Sequence, residues 1–202
     1  EFRRVLFRSD MSSSGRVNVL DTGDGEVHFG SRIRASSNYI EGTRINGLND
    51  FDNLARYDYD DKYGDIKRIL FDEGKLYVFK FLKDSWAPVY GNMIEDQQGT
   101  NLLAASTSIL PNTLQYFLWD GGVGNNPESI YRNGNQIFHI SPTSGVLARI
   151  GGNGVDPISK IYGLDKDIRD LLKSATASKA HIIGGFNRKK GHYLLSIAEH
   201  DN

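Results

Sequence analysis

The chain has 202 residues, 39% hydrophobic and 24% charged, with a formal net charge of -1, enough for one or two domains with a real core. The small net charge excludes a global field drawing in nucleic acid or an anionic membrane. With no cysteine, disulfide frameworks, thiolate metal sites and cysteine nucleophiles are excluded too, and no apolar run approaches the roughly 20 residues of a membrane helix. The 22 Gly, 10 Phe and 10 Tyr suit a turn-rich β protein.

Glu1–Ser9 (EFRRVLFRS) matches, residue for residue, the translation of a common sequencing-adapter oligonucleotide. It is set aside from fold reasoning, as any non-native segment should be. The chain is therefore expected to be a fragment of a metagenomic reading frame. Residues 10–62 read as a β-rich N-terminal region. Arg16–Leu20, Glu26–Phe29, Arg32–Ala35 and Tyr39–Ile45 are extended candidates. Leu48, Phe51, Leu54 and Ala55 fall at helical spacing, which predicts a short helix or turn. Asp58–Asp65 reads as a solvated acidic loop.

Residues 63–202 read as β-propeller-like blades, forming an incomplete propeller. Ile66–Phe71, Lys75–Leu82 and Trp86–Met93 are strands, with turns at Asp72-Glu73-Gly74 and Lys83–Ser85. Tyr77, Phe79, Phe81, Trp86 and Tyr90 alternate as core aromatics. Leu102–Thr107 and Leu114–Trp119 are strand candidates inside an insertion, Glu95–Gly124. Glu128–Arg132, Gln136–Ile140 and Val146–Ile150 then form an antiparallel meander. Asn133-Gly134 between two apolar runs is the strongest short hairpin signal, because both turn positions want φ > 0. Gly74–Phe81 and Gly134–Ser141 both set Gly before an alternating strand, a weak internal repeat at about blade spacing.

The predicted helix is Leu164–Ser174, with Ile161, Leu164, Ile168, Leu171 and Leu172 on one face. Asp165 and Asp167 favour its N-terminal end and Lys173 its C-terminal end. His181–Phe186 and His192–Ile197 follow as a hairpin around Asn187–Gly191. The chain stops straight after this strand, and a closed propeller needs its last strands to cover an edge. Truncation at this end is expected as well.

Candidate chemistry is sparse. Asp21-Thr22-Gly23 matches an aspartic-protease triplet, but that reaction needs two aspartates sharing a proton, and a turn is the better reading. Gly122-Val123-Gly124 and Gly152-Asn153-Gly154 lack the third glycine and the following helix of a dinucleotide fingerprint; both read as β-turns. Asp58, Asp60, Asp61 and Asp65 miss the calcium-loop pattern, because Gly64 falls one position late. His28, His139, His181, His192 and His200 form no pair at ligand spacing. Arg188-Lys189-Lys190 reads as a solvated hairpin tip with no interleaved stacking aromatics. No catalytic, cofactor-binding or metal-ligating set is expected.

An ordered set of short motifs runs from Thr43 to Ile197. It comprises TRINGLNDF (Thr43–Phe51), YGDIKRI (Tyr63–Ile69), LYVFK (Leu76–Lys80), Pro88-Val89-Tyr90 and NNPESI (Asn125–Ile130). IFHI, SGVLARI, GVDPIS (Gly154–Ser159) and IIGGFNRKKGHYLLSI follow. The set resembles the muzzle or nozzle tail proteins of crAss-like and related podoviral bacteriophages. The motif residues carrying the resemblance most are Asn125, Asn126, Pro127, Glu128, Ser129, Gly154, Pro157, Ile158, Ser159, Gly184 and Gly185. The resemblance implies a non-enzymatic virion protein, made in the host bacterial cytoplasm and built into a tail ring around the DNA exit channel. It implies homo-oligomers, contacts with other tail proteins, passage of DNA without specific binding, and no cofactor or membrane anchor. The alternative is a secreted or surface β-propeller module that binds a glycan or receptor.

Overall fold

The structure, a computed structural model, describes residues 28–37, 47–52, 55–95, 101–105, 108–152, 154–177 and 180–198. The candidates at 16–20 and 39–45, the start of 26–29 and the triplet at 21–23 lie outside the described residues. The protein is mainly β, and every strand pair is antiparallel.

In chain order the strands begin with β1 (Arg32–Arg34), β2 (Arg56–Asp58), β3 (Ile66–Asp72), β4 (Lys75–Lys80) and β5 (Asp84–Pro88). Next come β6 (Gly91–Glu95), β7 (Asn101–Ala105), β8 (Gln115–Tyr116), β9 (Tyr131–Asn133) and β10 (Gln136–Ser141). Then follow β11 (Val146–Gly151), β12 (Gly154–Asp156), α1 (Ile158–Ile161), α2 (Asp165–Ala177), β13 (His181–Asn187) and β14 (His192–Ala198).

Two four-stranded sheets dominate, ordered β3-β4-β5-β8 and β9-β10-β11-β12. Both follow the chain strand by strand. Among the described residues the β6–β7 hairpin pairs only with itself, and it falls between the third and fourth strands of the first sheet. Two-stranded sheets β1-β2 and β13-β14 lie on the outer sides.

Because side chains alternate across a strand, each four-stranded sheet has two faces, and both are apolar. In the first sheet Val78 and Ala87 point toward β1–β2, forming a cluster with Tyr59, Leu110 and Leu114. On the other face Phe79 packs with Val123, Ile130, Ile137 and Ile150, joining the two four-stranded sheets. On the far side of the second sheet Ile140 meets Leu172, Ala175 and Ile182, so α2 and β13 cover it. Phe138 lies on that same side, its ring 5.6 Å from those of both Phe186 and Tyr193. The result is a stack of layers in chain order. Each buried large aliphatic or aromatic side chain contributes about 1.5–3 kcal/mol.

Several expectations shift. The strand expected at Trp86–Met93 is two, broken at Val89-Tyr90, where Tyr90 takes φ 56° and is exposed. Tyr90 is thus not a core aromatic, because the turn swings it out of the alternation. Pro127 starts a 3-10 turn over Pro127–Ser129, so the strand expected from Glu128 begins only at Tyr131; proline supplies no N–H for a ladder. The expected three-stranded meander has a fourth strand, β12, where glycines suggested only a turn. The hairpin before β10 turns on Gly134-Asn135, since Asn133 already pairs with Gln136 and only Gly134, at φ 58°, is left-handed. That is the turn with Gly first. The mirror-image turn wanting two positive φ values sits instead at Glu73-Gly74, at 46° and 76°.

Residues 47–49 form one 3-10 turn and Arg56–Asp58 a strand, so the helical spacing from Leu48 does not propagate. In α2, Leu172 is buried, but Ile161 and Leu164 are exposed at 61% and 48%. Ile161 belongs to α1, separated from α2 by Gly163 at φ 72°, so the expected face is cut at its first turn.

Lys80 is fully buried between β1–β2 and the first sheet. Its Nζ donates to Ser31 Oγ at 3.1 Å and to the Asp60 carbonyl. Burial lowers the ammonium pKa below its ordinary 10.5, opposed by Asp60, Asp61 and Asp65. Between the lowered folded value and 10.5 the unfolded chain binds more protons at this residue, so its contribution to stability rises with pH across that window. Urea titrations over a pH series should show wild type gaining on Lys80→Met as pH rises there. Parallel curves for the two proteins would refute the coupling.

Candidate functional site

The segment Asn125–Ser129 bridges the first and second sheets. Asn126 Oδ1 accepts from the Ile182 backbone N–H at 3.1 Å, fixing the start of β13. The Pro127 carbonyl accepts from Arg68 of β3 at 2.8 Å, and the same guanidinium reaches the Ile130 carbonyl at 3.1 Å. Ser129 is fully buried. Its hydroxyl donates to the Asn126 carbonyl at 2.7 Å and faces the Ile140 N–H of β10 at 3.4 Å. Its carbonyl accepts from the Tyr193 hydroxyl of β14. Burial pushes that phenol's pKa up, keeping it a donor. Glu128 is exposed, and no packing role follows for it.

Of the motif residues, Gly184 comes to this same point. A Cβ there would overlap the Ser129 carbonyl oxygen and the Tyr193 hydroxyl. At Gly185 a Cβ would meet nothing within 4 Å; the structure gives no reason for glycine there. Gly154, Pro157, Ile158 and Ser159 lie elsewhere, at the β12–α1 corner. Gly154 takes φ 118°, Pro157 precedes α1, and Ile158 is half-buried within it. The buried Ser159 accepts from the Leu147 N–H at 3.2 Å. Apart from the exposed Asn125 and Glu128 and the open Gly185, the motif residues fall at two structural joints, one at Ser129 and one at Ser159.

The glycines at 121 and 122 are not turn residues. Residues 121–124 run beside the β4–β5 turn, with Asp84 N–H on the Gly121 carbonyl (3.2 Å) and Gly124 N–H on the Phe81 carbonyl (3.0 Å). A Cβ on Gly122 would overlap the backbone at Leu82 and Lys83, so close approach of two chains requires glycine there. Gly124, at φ 59°, is a turn residue as expected.

Close to this joint lies a polar cluster that the sequence did not suggest. Asp84 and His139 are both fully buried, with Asp84 Oδ2 3.1 Å from His139 Nε2. Trp119 Nε1 donates to the same oxygen at 3.2 Å. The His139 ring stands edge-on to Phe79 and Trp119, 5.6 and 6.1 Å between centroids. Asp84 Oδ1 is buried without a hydrogen-bond partner among the described residues. Asp84 starts β5 and His139 lies in β10, so the pair bolts one four-stranded sheet to the other. Zero exposure shuts a substrate away from the imidazole. The sequence signal was His139 two residues from Ile137, on the inward side of an apolar alternation. Asp84 gave none, because it read as turn.

Among the described residues, no group of three or more His, Asp or Glu could hold a metal. Asp58 and Asp60 act locally instead. Arg32 hydrogen-bonds Asp58 and holds its carboxyl below the usual range, and Asp60 Oδ1 caps a 3-10 turn through the Lys62 N–H. His181 and His192 stand at opposite ends of the β13–β14 ladder, opposite Ala198 and Asn187.

Comparison of the chain with models of known protein families, with curated proteins and with solved structures finds no match. What the protein does is therefore argued from its architecture.

Two outcomes test this geometry. Gly184→Ala should lose about 1–3 kcal/mol from forced overlap, whereas Gly185→Ala should stay within about 0.5 kcal/mol of wild type; equal losses in urea would contradict the Ser129 contact. A double-mutant cycle with Asp84→Asn and His139→Gln should give a coupling of about 0.5–3 kcal/mol, and a coupling of zero would mean the pair does not join the sheets.

Proposed function

We propose that the protein is a non-enzymatic structural component of a bacteriophage tail, part of a muzzle or nozzle ring around the DNA exit channel. The observation that carries this reading is the stack itself. Antiparallel meanders follow one another in chain order and pack face to face, as blades do in a propeller. The motif residues at Ser129 and Ser159 sit at joints between layers, where a mechanical part needs stiffness, and the buried Asp84–His139 pair adds a polar bolt. The partners are further copies of the chain and other tail proteins, and the protein is made in the host bacterial cytoplasm before assembly into the virion. DNA passes without specific binding. A formal net charge of -1 supports this, because retention on phosphate needs many Lys/Arg contacts.

The test is light scattering after size exclusion, with negative-stain imaging of the same fractions. Expected are multimers that appear as rings and no retention of duplex DNA at physiological salt. A monomer at every concentration, or tight salt-dependent DNA binding, would sink the proposal. A portal or terminase gene beside the coding sequence is the expected genomic context.

A further inference from the structure

A cavity of about 470 Å³ opens where the two four-stranded sheets meet the end of α2. This lies within the range of small-molecule sites. Its wall comes from five separate segments: Phe81 beyond β4, Asn125 and Asn126 before the 3-10 turn, Pro142 and Thr143 between β10 and β11, Ala175 of α2, and His181 opening β13. Among the described residues, no Asp, Glu, Lys or Arg lines it. A charged ligand would meet no counter-charge among those residues. The wall instead offers the side-chain amides of Asn125 and Asn126 and the Thr143 hydroxyl, which also meets the Ser141 hydroxyl at 3.1 Å, groups that both donate and accept. Beside them stand Phe81, whose ring also meets the Lys67 ammonium 5.7 Å from its centroid, and Pro142, apolar surface that suits the C–H face of a sugar ring.

The wall is also fixed in advance. The Gly124 N–H bonds the Phe81 carbonyl at 3.0 Å, and the Asn126 N–H bonds the Val123 carbonyl at 3.2 Å. Asn126 Oδ1 is held by the Ile182 N–H, leaving Nδ2 as the donor. Gly124, at φ 59°, brings the wall against the Pro142 ring, where a Cβ would stand 3.3 Å from Cγ. A rigid wall loses little entropy on binding. Phosphate and carboxylate ligands, which select Arg and Lys, do not match it.

We propose that this cavity is a binding subsite for one neutral saccharide unit, with Asn125, Asn126 and Thr143 bonding its hydroxyls and Phe81 lying against its ring. This reading is independent of whether the chain forms rings. Asn125 is exposed at the rim, so changing it leaves the core intact. Saturation-transfer NMR with glucose, galactose, N-acetylglucosamine and N-acetylgalactosamine tests it on the full chain. At least one should bind with Kd of about 1 mM or tighter. Asn125→Ala should weaken that sugar about ten-fold, the loss of one good hydrogen bond, and Asn125→Trp should abolish it by filling the mouth, with amide spectra showing both variants folded. No binding by any of the four sugars, or equal binding by both folded variants and wild type, would overturn the proposal.

Discussion

Both faces of each four-stranded sheet are apolar, and the rest of the structure follows from that. In β10, five of six residues are buried, so neither face can be left to water. Ile137 and His139 on one side and Phe138 and Ile140 on the other each need a covering layer. The first sheet has the same problem at Phe79 and Val78. A sheet with two dry faces forces stacking, and stacking forces close approach at the joints. Glycine at 122 and 184 and the small buried Ser129 answer that need. Buried polar groups at the Ser129 joint are then bonded across layers, as the cost of leaving them unpaired requires.

The Ser129 joint shows how economically the layers are tied. Within five residues the chain engages β3 through Arg68, β10 through Ile140, β13 through Ile182 and β14 through Tyr193. These are mostly backbone-directed bonds, so sequence specificity rests on a few side chains. The Asp84–His139–Trp119 cluster adds a second tie a short way along the same interface. A buried pair of this kind contributes little net stability against an apolar replacement, yet losing one member is costly. It therefore selects one relative placement of the sheets more than it strengthens them.

Much of this was legible in the sequence. Short apolar runs bounded by turn residues located β3, β4, β10, β11, β13 and β14 to within about two residues. The repeat between Gly74–Phe81 and Gly134–Ser141 corresponds to β4 and β10, the second strand of each sheet. The misses have physical causes. Gly152-Asn153-Gly154 looks like turn chemistry alone, and β12 is too short for alternation to show. Asn133-Gly134 gave the hairpin but placed its turn one residue early, because strand pairing of Asn133 with Gln136 outweighed local preference. Asp84 looked like loop because a charge rarely belongs in a core, and only the distant His139 and Trp119 make it tolerable. The joints at Ser129 and Ser159 were visible as motifs, but what they touch lies up to 64 residues away and leaves no local trace.

The β6–β7 hairpin carries a different consequence. It leaves the first sheet after the third strand and hands the chain back at the fourth, pairing with no other strand among the described residues. Its length is therefore uncoupled from the register on which the stack depends. Long excursions at such a place add little closure entropy, since the cost grows only with the logarithm of length. As far as the ladders go the position is a graft point: extra chain carried there lengthens no strand of the four-stranded sheets.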